Sequence, residues 1–129
     1  MAHGGKGLLI LGKSGAGKSS LALAMIALGA TLVADDRTDI AVLSGQLIAS
    51  APEPLQGMIE ARGIGLLRMP YRANVALMAA VDMDQTESER LPPPRQMELM
   101  GQQLELIHGS HYLHFPAALM CYLMGARAL

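Results

Sequence analysis

The sequence contains few aromatic residues and only one cysteine. It has no tryptophan, one phenylalanine and three tyrosines, but ten methionines. We therefore expect methionine side chains to fill core volume that aromatic rings usually occupy. The single cysteine, Cys121, excludes an internal disulfide and is expected to be a small core residue of a protein from a reducing compartment.

Long apolar runs and an excess of charge of one sign are also missing. No run reaches the ~18 apolar residues that a membrane span needs, and Met1–Gly5 does not have the layout of a secretion signal. We therefore expect a cytoplasmic protein that does not associate with membranes. Ten basic residues stand against eleven acidic ones, which argues against nucleic acid as a partner. A chain of 129 residues predicts one domain, residues 1–129.

A glycine-rich loop near the start of the chain predicts a phosphate-binding site. The stretch "GKSGAGKSS" contains the pattern G-x-x-x-x-G-K-[ST] and lies between a predicted strand, Gly7–Leu11, and a predicted helix, Ser19–Leu28. Its backbone N–H groups are expected to surround phosphate oxygens, with Lys18 on the β and γ phosphates and Ser19 on magnesium. The predicted nucleotide-binding residues are Gly12, Lys13, Ser14, Gly15, Ala16, Gly17, Lys18, Ser19 and Ser20.

Two adjacent carboxylates follow the predicted helix. "TLVADD", Thr31–Asp36, predicts a second buried strand, parallel to the first through a right-handed crossover. At least one of Asp35 and Asp36 then points toward the γ-phosphate or its metal, and strand alternation turns the other toward the scaffold. An aspartate that accepts a hydroxyl proton is typical of phosphoryl transfer. The alternative is that both carboxylates only make turn hydrogen bonds.

The segment "EARGIG", Glu60–Gly65, is a second candidate constellation. Glu60 is a possible metal ligand, and Arg62 is placed to neutralise charge on the transferring group. The glycines permit a close approach of backbone to ligand. An exposed Glu/Arg pair beside a glycine turn explains the same residues equally well.

The remaining segments predict hairpins and one further helix. Strands flank the turn at Ser44-Gly45, a second hairpin surrounds Gly101-Gln102, Asn74–Val81 reads as a buried strand, and Pro116–Ala126 reads as a helix. The predicted fold is a single P-loop α/β domain, with a mixed, mostly parallel sheet, added β-hairpins and flanking helices.

Three motifs together resemble one enzyme family. "GKSGAGKSS", "LVADD" and "MIEARGIG" are similar, in this order, to the catalytic domain of HPr kinase/phosphorylase. The resemblance implies an ATP-dependent kinase that uses magnesium and phosphorylates a serine of an HPr-like phosphocarrier. It implies Ser19 and Glu60 as magnesium ligands, Asp36 as the base that deprotonates the acceptor serine, and a homo-oligomer, a hexamer in that family.

The chain also departs from the family pattern. It lacks the family's histidine before the loop, its P-V-R-P-G-R-N segment near Leu106–Phe115 and its N-terminal domain, as in short forms of the family. The forward kinase reaction is therefore expected, and reverse phosphorolysis is not supported. Two other hypotheses stay open: a nucleotide-binding regulator with impaired catalysis, and a P-loop kinase of small molecules, which would need an arginine-rich lid.

Overall fold

The computed structural model describes residues 1–125 and 128, and these form strands with two α-helices and one short 3-10 helix, Glu53–Leu55. The strands are β1 (Ala2–His3), β2 (Lys6–Leu11), β3 (Asp39–Leu43), β4 (Gln46–Ser50), β5 (Met58–Ala61), β6 (Gly65–Arg68), β7 (Asn74–Thr86), β8 (Gln96–Leu99) and β9 (Gln102–Gly109). The helices are α1 (Lys18–Ala27) and α2 (Phe115–Gly125). Within the described residues, neither helix is long and apolar enough to span a lipid bilayer.

One long strand organises the main sheet. β7 lies between β2 and β9, and it runs parallel to both of them. Its first residues, Asn74–Ala76, also pair antiparallel with β4, which forms a hairpin with β3. β1 and β8 add antiparallel edges to β2 and β9, and β5 and β6 form a separate hairpin. The carboxyl ends of the three parallel strands therefore meet at one edge, where the P-loop begins.

The predicted strand at Thr31–Asp36 is wrong. This segment makes only isolated bridges, in which Thr31 pairs antiparallel with Ala2 and Leu32 pairs parallel with Tyr71. The reason is that both edges of β2 are already occupied, one by β1 and the other by β7. Leu32 and Val33 are nevertheless buried, so the apolar run correctly indicated burial but not strand pairing.

Both helices pack against the same face of the sheet. Met25 of α1 and Leu123 of α2 share a buried cluster with Leu8 and Val81 from the two central strands. Burial of such a side chain contributes about 1.5–3 kcal/mol to stability. Cys121 was expected in the core but is exposed, because α2 turns Leu119, Met120 and Leu123 toward the sheet and Cys121 away from it.

The other predicted elements agree with the structure. The hairpins are β3–β4 and β8–β9, and Asn74–Val81 lies within β7, which continues to Thr86. α1 and α2 each begin one residue before the predicted start, and the predicted end of α2 at Ala126 lies outside the described residues. The predicted fold class, a mixed α/β fold around a P-loop, is confirmed.

Candidate active site

The phosphate loop connects the end of β2 to the start of α1. Gly12 has a φ angle of 151°, and a Cβ atom there would lie 3.0 Å from Ala16 Cβ and 3.1 Å from Met83 Cβ. Only glycine therefore fits where the loop turns over β7. The Lys18 ammonium is part-buried and donates a hydrogen bond to the Gly12 carbonyl oxygen. Contacts within the protein alone therefore hold the loop in this conformation.

An aspartate that the sequence interpretation did not select anchors this loop. The backbone N–H of Lys13 donates to both carboxylate oxygens of Asp84, each at 3.1 Å. Asp84 lies near the carboxyl end of β7, and its own N–H donates to Asp82 Oδ1 at 2.9 Å. The available signal was the apolar run that ends in "VDMD", since the end of a parallel strand beside the loop is where α/β sheets bind ligands.

Two adjoining cavities lie on one side of the loop. The first, of about 340 Å³, is called the carboxylate cavity, and the second, of about 330 Å³, is called the loop cavity. Four predicted site residues line both cavities: Lys18, Ser19, Asp36 and Glu60. The carboxylate cavity also includes Asp35, and the loop cavity includes Ser14, Gly15, Gly17, Ser20 and Arg62. The structure therefore brings the three sequence motifs together around one space.

Asp35 links two of these motifs. Its Oδ1 lies 3.5 Å from Ser19 Oγ, which donates to it, and its Oδ2 accepts the backbone N–H of Glu60 at 3.1 Å. The half-buried carboxylate thereby connects the start of α1 to the β5–β6 hairpin. Asp35 thus holds the hairpin against the phosphate loop.

Asp36 is exposed and lines both cavities. Its carboxylate makes no hydrogen bond or ion pair with any residue that the structure describes, whereas Arg37, next in the chain, approaches Asp39 at 3.8 Å. The expectation that one aspartate faces the site and the other the scaffold depended on a regular strand, which this segment does not form. Without a regular strand, nothing forces the alternation, and both carboxylates reach the same cavity.

Glu60 and Arg62 reach the site from the β5–β6 hairpin. Glu60 is the third residue of β5, and Arg62 follows the strand at the turn. Both side chains are exposed, and both line the loop cavity beside Lys18. The glycines of this turn, Gly63 and Gly65, have positive φ angles and open space around them, so their role in the described structure is to form the turn.

The oxygen atoms around Ser19 suit a hard divalent cation. The Ser19 hydroxyl and the Asp35 carboxylate lie together, and the Glu60 carboxylate lines the same cavity. Magnesium is usually bound by one or two carboxylates together with substrate phosphates, in preference to a complete protein cage. The residues present therefore fit magnesium.

Fold and site together define a P-loop domain that combines a phosphate-binding loop with an acidic cavity at the carboxyl edge of its sheet. Among known protein families, the model of the HPr Serine kinase C-terminal domain matches residues 2–75, which is more than half of the chain. The chain belongs to this family.

Individual relatives agree with this assignment. HPr kinase/phosphorylase of Clostridium tetani is 50% identical over 66 residues, covering 51% of this chain and 22% of that protein. The protein of the same name from Clostridium beijerinckii is 49% identical over 63 residues, covering 49% and 21%. The chain therefore spans about a fifth of the length of these curated relatives.

A solved structure extends the similarity beyond the motifs. The Hpr(Ser) kinase/phosphatase from Coxiella burnetii superposes with a TM-score of 0.74 at 27% identity, covering 92% of this chain and 85% of that one. The residues after 75, which the family model does not match, therefore belong to the same fold.

Proposed function

We propose that this chain catalyses ATP-dependent phosphorylation of a serine on an HPr-like phosphocarrier protein, in the forward direction. The observation that carries the proposal is the Asp36 carboxylate, which has no partner among the residues that the structure describes and lines both cavities together with Lys18 and Ser19. The names of its relatives support HPr as the type of acceptor.

The residues have distinct roles in this reaction. The loop backbone holds the phosphates of ATP, and the Lys18 ammonium neutralises charge on the β and γ groups. Ser19, Asp35 and Glu60 would hold magnesium, which supplies further positive charge at the phosphates when bound. Arg62 lines the loop cavity, and its guanidinium would neutralise charge on the transferring group.

Asp36 acts on the acceptor. Its carboxylate takes the proton of the serine hydroxyl, the serine oxygen forms a bond to the γ-phosphorus, and the bond from that phosphorus to the β–γ bridging oxygen breaks. The products are phosphoserine and ADP, and the proton remains on Asp36 until it passes to solvent. Because no described residue hydrogen-bonds to this carboxylate, its oxygens are accessible to the acceptor hydroxyl.

The test is transfer of labelled γ-phosphate to the serine of an HPr-type carrier. Asp36→Asn removes the proton acceptor at almost constant shape, so we expect transfer to fall by about 10²- to 10⁴-fold, whereas the Kd for ATP stays the same. Glu98→Gln is the matched control, because Glu98 is exposed on β8 and lines neither cavity. Transfer that survives in Asp36→Asn to within tenfold would refute Asp36 as the base.

Three further expectations remain predictions. The resemblance implies a hexamer, which light scattering coupled to size exclusion can check. The requirement for a nucleotide can be tested by comparing ATP with pyrophosphate as the phosphate donor, and the cytoplasmic location can be tested by fractionating cells.

A further inference from the structure

A third cavity lies on the far side of the phosphate loop. We call it the distal cavity; its volume is about 320 Å³. One wall consists of loop residues, among them Ala16, Gly17 and Ser20, and the other consists of the segment after β9, Ser110–Leu113. Leu21, Met83 and Phe115 make its lining largely apolar.

We propose that the distal cavity binds the nucleoside of ATP and that the Tyr112 ring stacks on the base. This inference rests on the proposed function, because it takes the phosphates to lie on the loop. It concerns the nucleoside end of ATP. The protein segment involved, Ser110–Leu113, lies outside residues 2–75, which the family model matches.

The direction of the nucleotide follows from the two sides of the loop. Lys18 and Ser19 line the carboxylate cavity and the loop cavity but not the distal cavity, so the γ end of the triphosphate lies on their side of the loop. The loop backbone surrounds the α and β phosphates. Gly17 and Ser20 line both the loop cavity and the distal cavity, so the distal cavity continues directly from the α-phosphate position. A nucleoside leaving the loop on that side enters it.

Tyr112 presents an aromatic surface at this position. Its side chain is 71% exposed, and its ring stacks on His114 with centroids 5.1 Å apart and an interplanar angle of 19°. Stacking of this kind uses one face of the ring, and the other face remains for a base. Bases bind aromatic side chains in this way whatever their hydrogen-bonding pattern.

The fold fixes the segment that carries Tyr112. Gly109 ends β9 where a Cβ atom would lie 3.1 Å from the Gln85 carbonyl oxygen and 3.2 Å from Met83 Sδ. Met83 also packs beneath the phosphate loop, 3.7 Å from the Cβ position of Gly17. One β7 side chain therefore sets the distance between the loop and the segment after β9.

The test compares the Kd values of ATP and tripolyphosphate, each with magnesium, by isothermal titration calorimetry. Tripolyphosphate carries the phosphates without the nucleoside. For Tyr112→Ala we expect ATP to bind about 10- to 100-fold more weakly and tripolyphosphate to bind unchanged. Tyr112→Phe keeps the ring and should bind both as the unaltered protein does. Tyr71→Ala is the control, because Tyr71 is part-exposed and lines none of the three cavities.

Each outcome decides between the two proposals. Equal affinity of the unaltered protein for ATP and tripolyphosphate, or equal weakening of both ligands in Tyr112→Ala, overturns the nucleoside site and leaves phosphate binding intact. Failure of the unaltered protein to bind either ligand overturns the proposed function and the nucleoside site with it. Normal ATP binding that depends on Tyr112, without transfer to a carrier, overturns only the kinase assignment.

Discussion

The first 75 residues hold the side chains that short motifs identify, whereas the residues after them contribute through their place in the sheet. Lys18, Asp36 and Glu60 come from three separate motifs of the first region and line shared cavities. Asp84 and Tyr112 come from the second region, where no motif marks them, yet one anchors the loop and the other lines the distal cavity. Residues whose chemistry requires a particular type and spacing can be recognised in a sequence. Residues that support the site only because the fold brings them close to it cannot.

After Asp36→Asn, the largest expected effect concerns Asp35, the other of the two adjacent aspartates of the first region. Asp35→Ala removes the acceptor that joins Ser19 to the β5–β6 hairpin, so Glu60 and Arg62 lose their fixed distance from the loop. We expect kcat for phosphoryl transfer to fall by about 10- to 100-fold, with a higher magnesium concentration needed for half-maximal rate.

Steady-state kinetics over a magnesium titration measures both quantities, and Glu98→Ala is the control. A magnesium requirement that does not change in Asp35→Ala would show that Asp35 does not position the metal-binding oxygens.

The next prediction, with a smaller expected effect, tests whether the second region supports the phosphate loop. Asp84→Ala leaves the Lys13 N–H without its carboxylate acceptor, and a hydrogen bond to a charged group contributes enough to raise the Kd for ATP by about tenfold. Asp84→Asn retains a carbonyl oxygen for the same N–H and should bind ATP nearly as well as the unaltered protein.

Calorimetric titration with ATP measures this difference. Identical Kd values for Asp84→Ala and the unaltered protein would mean that the loop holds its shape without β7.

The smallest effect concerns a charge cluster of the second region. Burial raises the pKa of Glu87, but hydrogen bonds from the Glu89 backbone and from Arg95, together with the charges of Arg95 and His108, outweigh it and hold the pKa below the usual 4.5. The folded protein therefore binds a proton on Glu87 less readily than the unfolded chain. The stabilisation is fully present above about pH 4.5 and is lost as the pH falls through the lowered pKa.

We expect Glu87→Gln to lower Tm slightly at pH 7 and the difference from the unaltered protein to shrink below pH 4.5. Thermal melts at pH 7, 5 and 3.5 measure it, with Glu98→Gln as the matched control. A difference that stays constant over this range would contradict the ion-pair explanation.

Much of the fold could be predicted from the sequence, and so could the candidate site residues that come from the first 75 positions. The β3–β4 hairpin was predictable, because two segments rich in strand-forming residues surround a turn whose Ser44 and Gly45 adopt positive φ angles. The P-loop was predictable because its fixed residues follow from the demands of phosphate binding.

The other features could not be predicted, because they depend on which strands pair across long distances in the sequence. Thr31–Asp36 has the composition of a buried strand, but β1 and β7 occupy the two edges of β2, so this segment makes only isolated bridges. The orientation of Asp35 and Asp36 could not be deduced without that knowledge. Asp84 and Tyr112 required the register of β7 and β9, which only the folded chain supplies.

The hydrogen bond between Lys18 and the Gly12 carbonyl has a consequence for affinity. An incoming triphosphate takes over an ammonium group that the protein already solvates internally, so the free energy of binding is the difference between two contacts and not the full strength of either. The same bond already fixes the lysine side chain against the loop, so less rotamer entropy is lost when the exchange occurs. The loop is therefore selective for ligands whose negative charge is strong enough to displace a carbonyl oxygen.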